Sequence, residues 1–302
     1  MPKSFADLKK ASSNSLEKLS EQLTKVTAPK FQADERFWYP NRDKSGNGYA
    51  VIRFLASPAG EDAPFVRLWE HSFQGPSGTW YIENCLTTLN QQDPVAELNN
   101  TLWNTGLESD KQIARDRKRV LYFISNILVI KDPANPENEG KVKLYRYGQK
   151  IFNKVNEMAF PPEGSGEPKV DIFNLWEGAN LKLKIRTVGE GQKKFPNYDM
   201  STFDNPAPLA DNDEAIEAVW KQAYPLKPFI DPSNFKSYDD LKSRLDRVLG
   251  RKEGPPTART QELRSEDVAK KPALVTAAGD ADEEDDAELT ERAKFFDQLN
   301  KD

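Results

Sequence analysis

The sequence has one cysteine and one histidine in 302 residues. One cysteine excludes an internal disulfide and any thiolate cluster, and it fits a reducing compartment. One histidine leaves a histidine-based triad a single centre, His71, with Cys85 as its only thiol partner. Motifs that announce catalysis are missing too. There is no GxxxxGK(S/T) phosphate loop, no GxSxG elbow and no HExxH. A Ser15-x-x-Lys18 spacing lies in a polar stretch outside any credible pocket. Carboxylates are plentiful, so residue counts leave a magnesium-dependent nuclease open, but no constellation of acids points to one. Long apolar runs are also absent. The longest, VLYFISNILVI at 120–130, is interrupted by Ser125 and Asn126 and is too short to cross a bilayer. No membrane partner is expected. The opening MPKSFADLKK is polar with no apolar stretch behind it, so no signal peptide is expected.

What is present is charge, and it is segregated. Charged residues make up 30% and hydrophobic residues 37%, with a mean hydropathy of -0.76. That composition fits a folded core with solvated flanks better than one compact globule. The net charge is -5. Residues 280–302 hold ten acids and three bases, net -7, which leaves the other 279 residues at +2. A mildly basic body carries an acidic tail.

Three segments follow along the chain. Residues 1–25 read as a polar N-terminal arm, with Lys3, Lys9, Lys10, Lys18 and Lys25 against three acids. The body, 37–250, holds all six tryptophans and therefore the core. Strands are predicted over GYAVIRFLA (48–56), TWYIEN (79–84), VLYFISNILVIK (120–131), KVKLYRY (141–147) and LKLKIRTV (181–188), each a β-branched or aromatic run bounded by turn formers. Helices are predicted over 93–105, 149–159, 211–223 and 237–249, the last stopping at Gly250. The fold class is thus mainly β with added helices, α+β, with the strands forming a small barrel. Residues 251–302 read as a linker followed by DADEEDDAE, an acidic run of the kind that stays disordered and serves as an interaction tail.

The chemistry sits in cations interleaved with aromatics. In KVKLYRY, alternation puts Val142, Leu144 and Arg146 on one side and Lys141, Lys143, Tyr145 and Tyr147 on the other. In LKLKIRT, Lys182, Lys184 and Arg186 face outward. Before the long strand comes KQIARDRKR, with Lys111, Arg115, Arg117, Lys118 and Arg119, followed by Tyr122 and Phe123. Cations follow phosphates and flat rings stack on unpaired bases, so such a sheet face suits single-stranded nucleic acid. The competing reading is an ordinary solvated sheet with its rings packed inward.

The stretches GNGYAVIRFL, HSFQGPSGTWYIENC, SNILVIKDPANPENEGKVKLYRYGQKIFNKV, LWEGANLKLKI and FPNYD, in order over most of 46–200, resemble the T4-type phage single-stranded DNA-binding proteins, the gene thirty-two helix-destabilising family. The resemblance implies an OB-fold core that binds single-stranded DNA without sequence preference. It also implies an N-terminal arm for self-association along DNA, and an acidic tail that recruits phage replication and recombination proteins in the cytoplasm of the infected bacterial host. It implies binding positions at Trp80 and Tyr81, at Trp103, along Arg117, Lys118 and Arg119, at Phe123, at Tyr145, Arg146, Tyr147, Lys150 and Phe152, and at Phe195 and Tyr198.

The family's zinc site takes one histidine and three cysteines, the last two in a Cys-Pro-Val-Cys turn. Here His71 and Cys85 remain, but the turn reads Asp93-Pro94-Val95-Ala96. Ala96 cannot ligate, and His71, Cys85 and Asp93 make a degenerate set of mixed softness. No cofactor is expected. The 71–105 subdomain is expected to be held by apolar packing, with Leu86, Leu89, Val95, Leu98 and Trp103 as candidates. Three functions compete: a non-enzymatic single-strand binder, a metal-dependent nuclease on a similar barrel, and a hub whose basic face meets an acidic protein.

Overall fold

The computed structural model describes residues 34–189 and 194–251. The expectations for the arm 1–25 and, beyond Arg251, for the linker and acidic tail lie outside the described residues. The elements run β1 (Phe37–Trp38), β2 (Gly48–Phe54), β3 (Phe65–Gln74), β4 (Trp80–Asn84), α1 (Pro94–Asn104), α2 (Glu108–Asp116), β5 (Val120–Lys131), β6 (Val142–Tyr147), α3 (Gln149–Ala159), β7 (Asn180–Val188), β8 (Phe195–Asn197), β9 (Thr202–Phe203), α4 (Asp213–Trp220) and α5 (Tyr238–Val248). All five strands and four helices read from the sequence are found. The sequence reading did not anticipate β1, β3, β8, β9 or α2. Gly250 follows α5 with a φ of +66°, the left-handed conformation that ends a helix and that glycine adopts at no steric cost.

The long strand β5 organises the sheet. One of its edges is shared. Its first half, Val120–Ser125, pairs antiparallel with β3, and its second half, from Ile127 on, pairs antiparallel with β2. Its other edge pairs antiparallel with β6 along Phe123–Leu128. The handover between β3 and β2 falls at Ser125–Asn126, the polar pair that interrupts the apolar run. Asn126 is buried and takes over the pairing there. Its side chain donates to the Tyr224 carbonyl at 2.8 Å and accepts the Tyr224 N–H at 2.8 Å, while its own carbonyl accepts the Leu55 N–H at 3.0 Å. Ser125 Oγ lies 3.0 Å from the Tyr147 hydroxyl. A buried amide without such partners would be strongly unfavourable. From β2 the sheet continues antiparallel to β7, which carries β8 and β9. From β6 it continues to β1, the one parallel pair among the described residues.

Strands from opposite ends of this order bury side chains in one cluster. Trp38 of β1, Ile52 and Phe54 of β2, Phe123 and Ile127 of β5, Tyr145 and Tyr147 of β6, and Leu181, Leu183 and Ile185 of β7 all contribute. The sheet must therefore curl. Helix α3 covers the cluster with Ile151 and Val155. The expected barrel is corrected on one point: among the described residues no ladder joins β6 to β7, so the curled sheet is not closed into a barrel. A second cluster underlies 71–105, where Phe73, Tyr81, Leu86 and Val95 pack on Leu241, Leu245 and Val248 of α5. Leu98 packs at its margin. Trp103, expected in this packing, is instead 48% exposed. No helix among the described residues is long and apolar enough to cross a membrane.

Candidate nucleic-acid interface

The inner face of β3 leads out of the core. Phe65 points inward, edge-on to Phe123 and Phe152 at 5.9 and 5.4 Å. Side chains alternate along a strand, so Arg67 and Trp69 share the face of Phe65. Val66 and Leu68 are buried on the opposite face. Across the ladder, Arg67 stands opposite Phe123 and Trp69 opposite Leu121. Arg67 is exposed, and Trp69 and Leu121 are half-buried. The concave face thus continues past the edge of the core as a rim of one cation and two apolar side chains.

The basic run borders this rim. Its cations at alternate positions each lie on an aromatic ring. Arg115 stands 5.4 Å from the Trp103 ring, Arg117 5.5 Å from Phe73, and Arg119 4.2 Å from Trp69. Lys111, one helical turn before Arg115 on α2, also approaches Trp103, at 5.8 Å. Such contacts are worth roughly 0.5–1 kcal/mol each when partly exposed. The Arg117 backbone is clamped as well. Its carbonyl accepts from Asn99 Nδ2 at 3.1 Å and lies 3.1 Å from His71 Nδ1. Burial, then the nearby charge of Arg251, lowers the Arg117 pKa from its ordinary value.

Ion pairs separate the cations committed inside the protein from the rest. Arg115 pairs with Glu108 at 2.7 Å and Lys111 reaches the same carboxylate at 4.0 Å. Arg146 pairs with Glu70 at 2.9 Å and stacks 3.6 Å from the Tyr122 ring centroid. Lys182 pairs with Asp204. Among the described residues no carboxylate pairs with Arg67, Lys118 or Arg119.

The predicted site residues divide accordingly. Trp103, Arg115, Lys118 and Lys141 are exposed, and Lys111, Arg117, Arg119, Lys143, Arg146, Lys150, Phe152, Phe195 and Tyr198 are half-buried. Lys182 and Lys184 are half-buried and Arg186 exposed, on the outward side of β7. Tyr81, Tyr122, Phe123, Tyr145 and Tyr147 are buried, each at most 5% exposed. The expectation that Tyr145 and Tyr147 stand outward with Lys141 and Lys143 is corrected. Strand β6 is covered on both faces, with Leu144 packed beside Val66, Leu68 and Ile124, and the two tyrosines in the main cluster. Alternation cannot reveal the outside of a strand that has none. Tyr81 stacks on Phe73 at 5.1 Å within the second cluster. Phe152 lies flat on Phe123, with centroids 3.9 Å apart. The sequence reading missed Arg67 and Trp69 because it placed no strand over 65–74. The cue was an aromatic and β-branched run, FVRLW, directly after Pro64.

The degenerate metal position is also resolved. His71, Cys85 and Asp93 are buried, with their ligand atoms within 4.8 Å of one another. Asp93 is already engaged. It caps α1, its Oδ1 accepting the Val95 and Ala96 N–H groups at 2.9 and 3.2 Å, and its Oδ2 accepts the Leu86 N–H at 3.1 Å. His71 Nε2 lies 3.2 Å from Asp93 Oδ1, within ion-pair reach though not aligned as a hydrogen bond. Burial works to lower the His71 pKa, but Asp93 and Cys85 outweigh it and push the group up to about 9. Burial acts to raise Asp93; His71 and the backbone N–H groups outweigh it, and the net direction is down. A closed zinc site needs four ligands. Position 96 supplies none, and the Asp93 oxygens are held by three backbone donors, so these residues do not fit one.

Residues 46–249 match the family described as gp32 DNA binding protein like. The single-stranded DNA-binding protein of Enterobacteria phage T2 is 39% identical over 241 residues, 77% of this chain and 77% of its own length. That of Enterobacteria phage T4 is 38% identical over 240 residues, again 77% of each. A single-stranded DNA-binding protein of Enterobacteria phage RB70 is 41% identical over 112 residues, 35% of this chain and 92% of its own length.

The His71–Asp93 pair sets a pH dependence. The histidine is raised from 6.5 to about 9 in the folded state. Its contribution to stability is therefore fully present below about pH 6.5 and is lost as pH rises through about 9. The melting temperature is expected to fall between pH 7 and about 9.5. In His71→Gln that alkaline slope shrinks, and the variant is less stable by about 3–5 kcal/mol at neutral pH because Asp93, though still held by backbone N–H groups, is left buried without its counter-charge. Thermal melts across that range check it; equal slopes in both proteins would exclude the charged pair.

Proposed function

The chain belongs to the gp32 DNA binding protein-like family, and on that footing we propose that it binds and coats single-stranded DNA, without sequence preference and without catalysing a reaction, during phage replication, recombination and repair. The observation that carries this reading is the rim where Arg67 and Arg119, unpaired with any described carboxylate, border the aromatic inner face of β3 and β5, with the exposed Lys118 next to Arg119 on the same segment. Cations of this kind follow phosphates, and the half-buried rings offer flat faces to bases. In this reading the curled sheet is an OB-type platform, without the ladder that would close a barrel. The names of the relatives favour a binder over the nuclease alternative. A hub that meets an acidic protein would need no aromatic faces.

The flanks complete the reading. The arm 1–25 serves self-association along the strand, and the tail 280–302, net -7, recruits replication and recombination proteins. The site of action is the cytoplasm of the infected host cell. The 71–105 subdomain folds without zinc, on the second apolar cluster and the His71–Asp93 pair.

Three measurements test these statements. On oligothymidylate, log K falls with log salt by about 0.7 per phosphate contact. Arg67→Ala with Lys118→Ala is expected to flatten that slope by roughly 1.4, twice the single-contact value. Lys111→Ala with Arg115→Ala is expected to flatten it less, because Glu108 already holds both; the reverse order would place the strand elsewhere. Elemental analysis of protein never exposed to chelator is expected to find no stoichiometric zinc, and about one zinc per chain would refute that. Truncation of 280–302 is expected to abolish capture of replication proteins while oligothymidylate binding persists, and truncation of 1–25 to lower cooperativity; capture that survives the first deletion would remove the tail's role.

A further inference from the structure

The contact between Arg119 and Trp69 occupies a surface that the strand-binding reading needs. The guanidinium carbon lies 4.2 Å from the indole centroid, closer than the other cation–ring contacts of the basic run. A guanidinium is flat and of the size of a small ring fragment, and it sits where a stacked base would sit. Trp69 is half-buried rather than sealed in the core, on the face that continues from Phe65 through the exposed Arg67. Among the described residues no carboxylate pairs with Arg119. Its partner in this structure is thus a π-face, a weaker match for a cation than a phosphate.

We propose that Trp69 is a base-stacking subsite for single-stranded nucleic acid, held occupied in the free protein by Arg119 as a place-holder. An unpaired nucleotide satisfies both partners at once. Its base takes the indole face, and its phosphate takes the displaced guanidinium. Duplex DNA offers phosphates but no unstacked base, so it cannot complete the exchange. The subsite thereby favours single strands without reading sequence, since every base has a π-face. The ring clamp does not scatter the basic run when Arg119 leaves, because the Arg117 carbonyl remains held by Asn99 and lies within reach of His71. The inference rests on the strand-binding reading but adds a residue and a sign that this reading does not require.

The test uses the full-length protein and a short oligothymidylate, with affinities measured at low and high salt. Trp69→Leu keeps apolar bulk without a π-face. It is expected to weaken binding by roughly 5- to 150-fold, with the salt slope nearly unchanged. Trp69→Phe is expected to recover most of that loss. Arg119→Gln is the sharper variant. At about 0.05 M salt it should bind more weakly, because a phosphate contact is gone; near 1 M salt, where that contact is screened, it should bind about 2- to 5-fold more tightly than the natural protein, because the indole is already uncovered. A purely structural clamp predicts the opposite pattern: Trp69→Leu melts earlier but binds within twofold of the natural protein, and Arg119→Gln is never the tighter binder. Either result overturns the subsite, and strand binding stands if Arg67→Ala with Lys118→Ala still weakens it. If the natural protein itself shows no preference for oligothymidylate over duplex, the function reading falls and the subsite falls with it.

Discussion

The fold depends on one strand serving three partners. β5 gives its first half to β3 and its second half to β2 along one edge, and β6 takes the other. A strand can divide an edge only if something satisfies the backbone where the two neighbours part. Asn126 does so through its paired hydrogen bonds to Tyr224 and the bond from Leu55. With β3 and β2 diverging from one edge, the sheet curls and its inner face closes over a cluster of rings: Phe54, Phe65, Phe123, Tyr145, Tyr147, Phe152 and Phe173. On the inner face the same divergence leaves Arg67 exposed and Trp69 half-buried beyond Phe65. The rim of Arg67 and Trp69 is therefore a product of the topology that forms the core.

The basic run begins within α2 and continues through the segment that leads into β5. Its alternate arginines differ in role according to their partners. Arg115 is shared between Trp103 and Glu108 and so ties α2 to α1, while Arg117 rests over buried Phe73 with its carbonyl clamped by Asn99 and so ties the run to β3 and α1. Lys118 and Arg119 sit on the same short segment with no described carboxylate to hold them. The run thus begins with fasteners, Arg115 and Arg117, and ends with two cations, Lys118 and Arg119, that no described carboxylate pairs. Removing the whole run at once would confuse loss of structure with loss of binding.

Much of this was legible in the sequence. The strands over 48–56, 79–84, 120–131, 141–147 and 181–188 announced themselves through β-branched and aromatic composition. The helix at 149–159 matched its predicted bounds residue for residue. Strand β3 escaped because both of its faces are largely covered: Val66 and Leu68 face one cluster, His71 and Ser72 are buried polar residues, and the hydrophobic alternation dissolves. The same cause misassigned the faces of β6. A strand sandwiched between clusters carries apolar residues at both parities, and only the tertiary arrangement shows that Tyr145 and Tyr147 point in. The polar interruption at Ser125–Asn126 was visible and served to exclude a membrane span; its positive meaning, the division of an edge, required the ladder.

The degenerate metal position connects the subdomain to the rim by a short path. Asp93 caps α1 and holds Leu86, and its remaining charge faces His71. The other imidazole nitrogen lies within reach of the Arg117 carbonyl, two residues before Arg119. Each step is a contact of 3.2 Å or less. Asp93 thus takes on two tasks: ending the turn before α1 and orienting the histidine that braces the basic run. A tetrahedral metal centre resists small changes in pH until its ligands protonate, whereas an imidazolium–carboxylate pair loses its attraction when the imidazolium deprotonates. The brace is expected to be firmest at neutral and mildly acid pH, where the histidine is charged, and to weaken as pH rises through about 9.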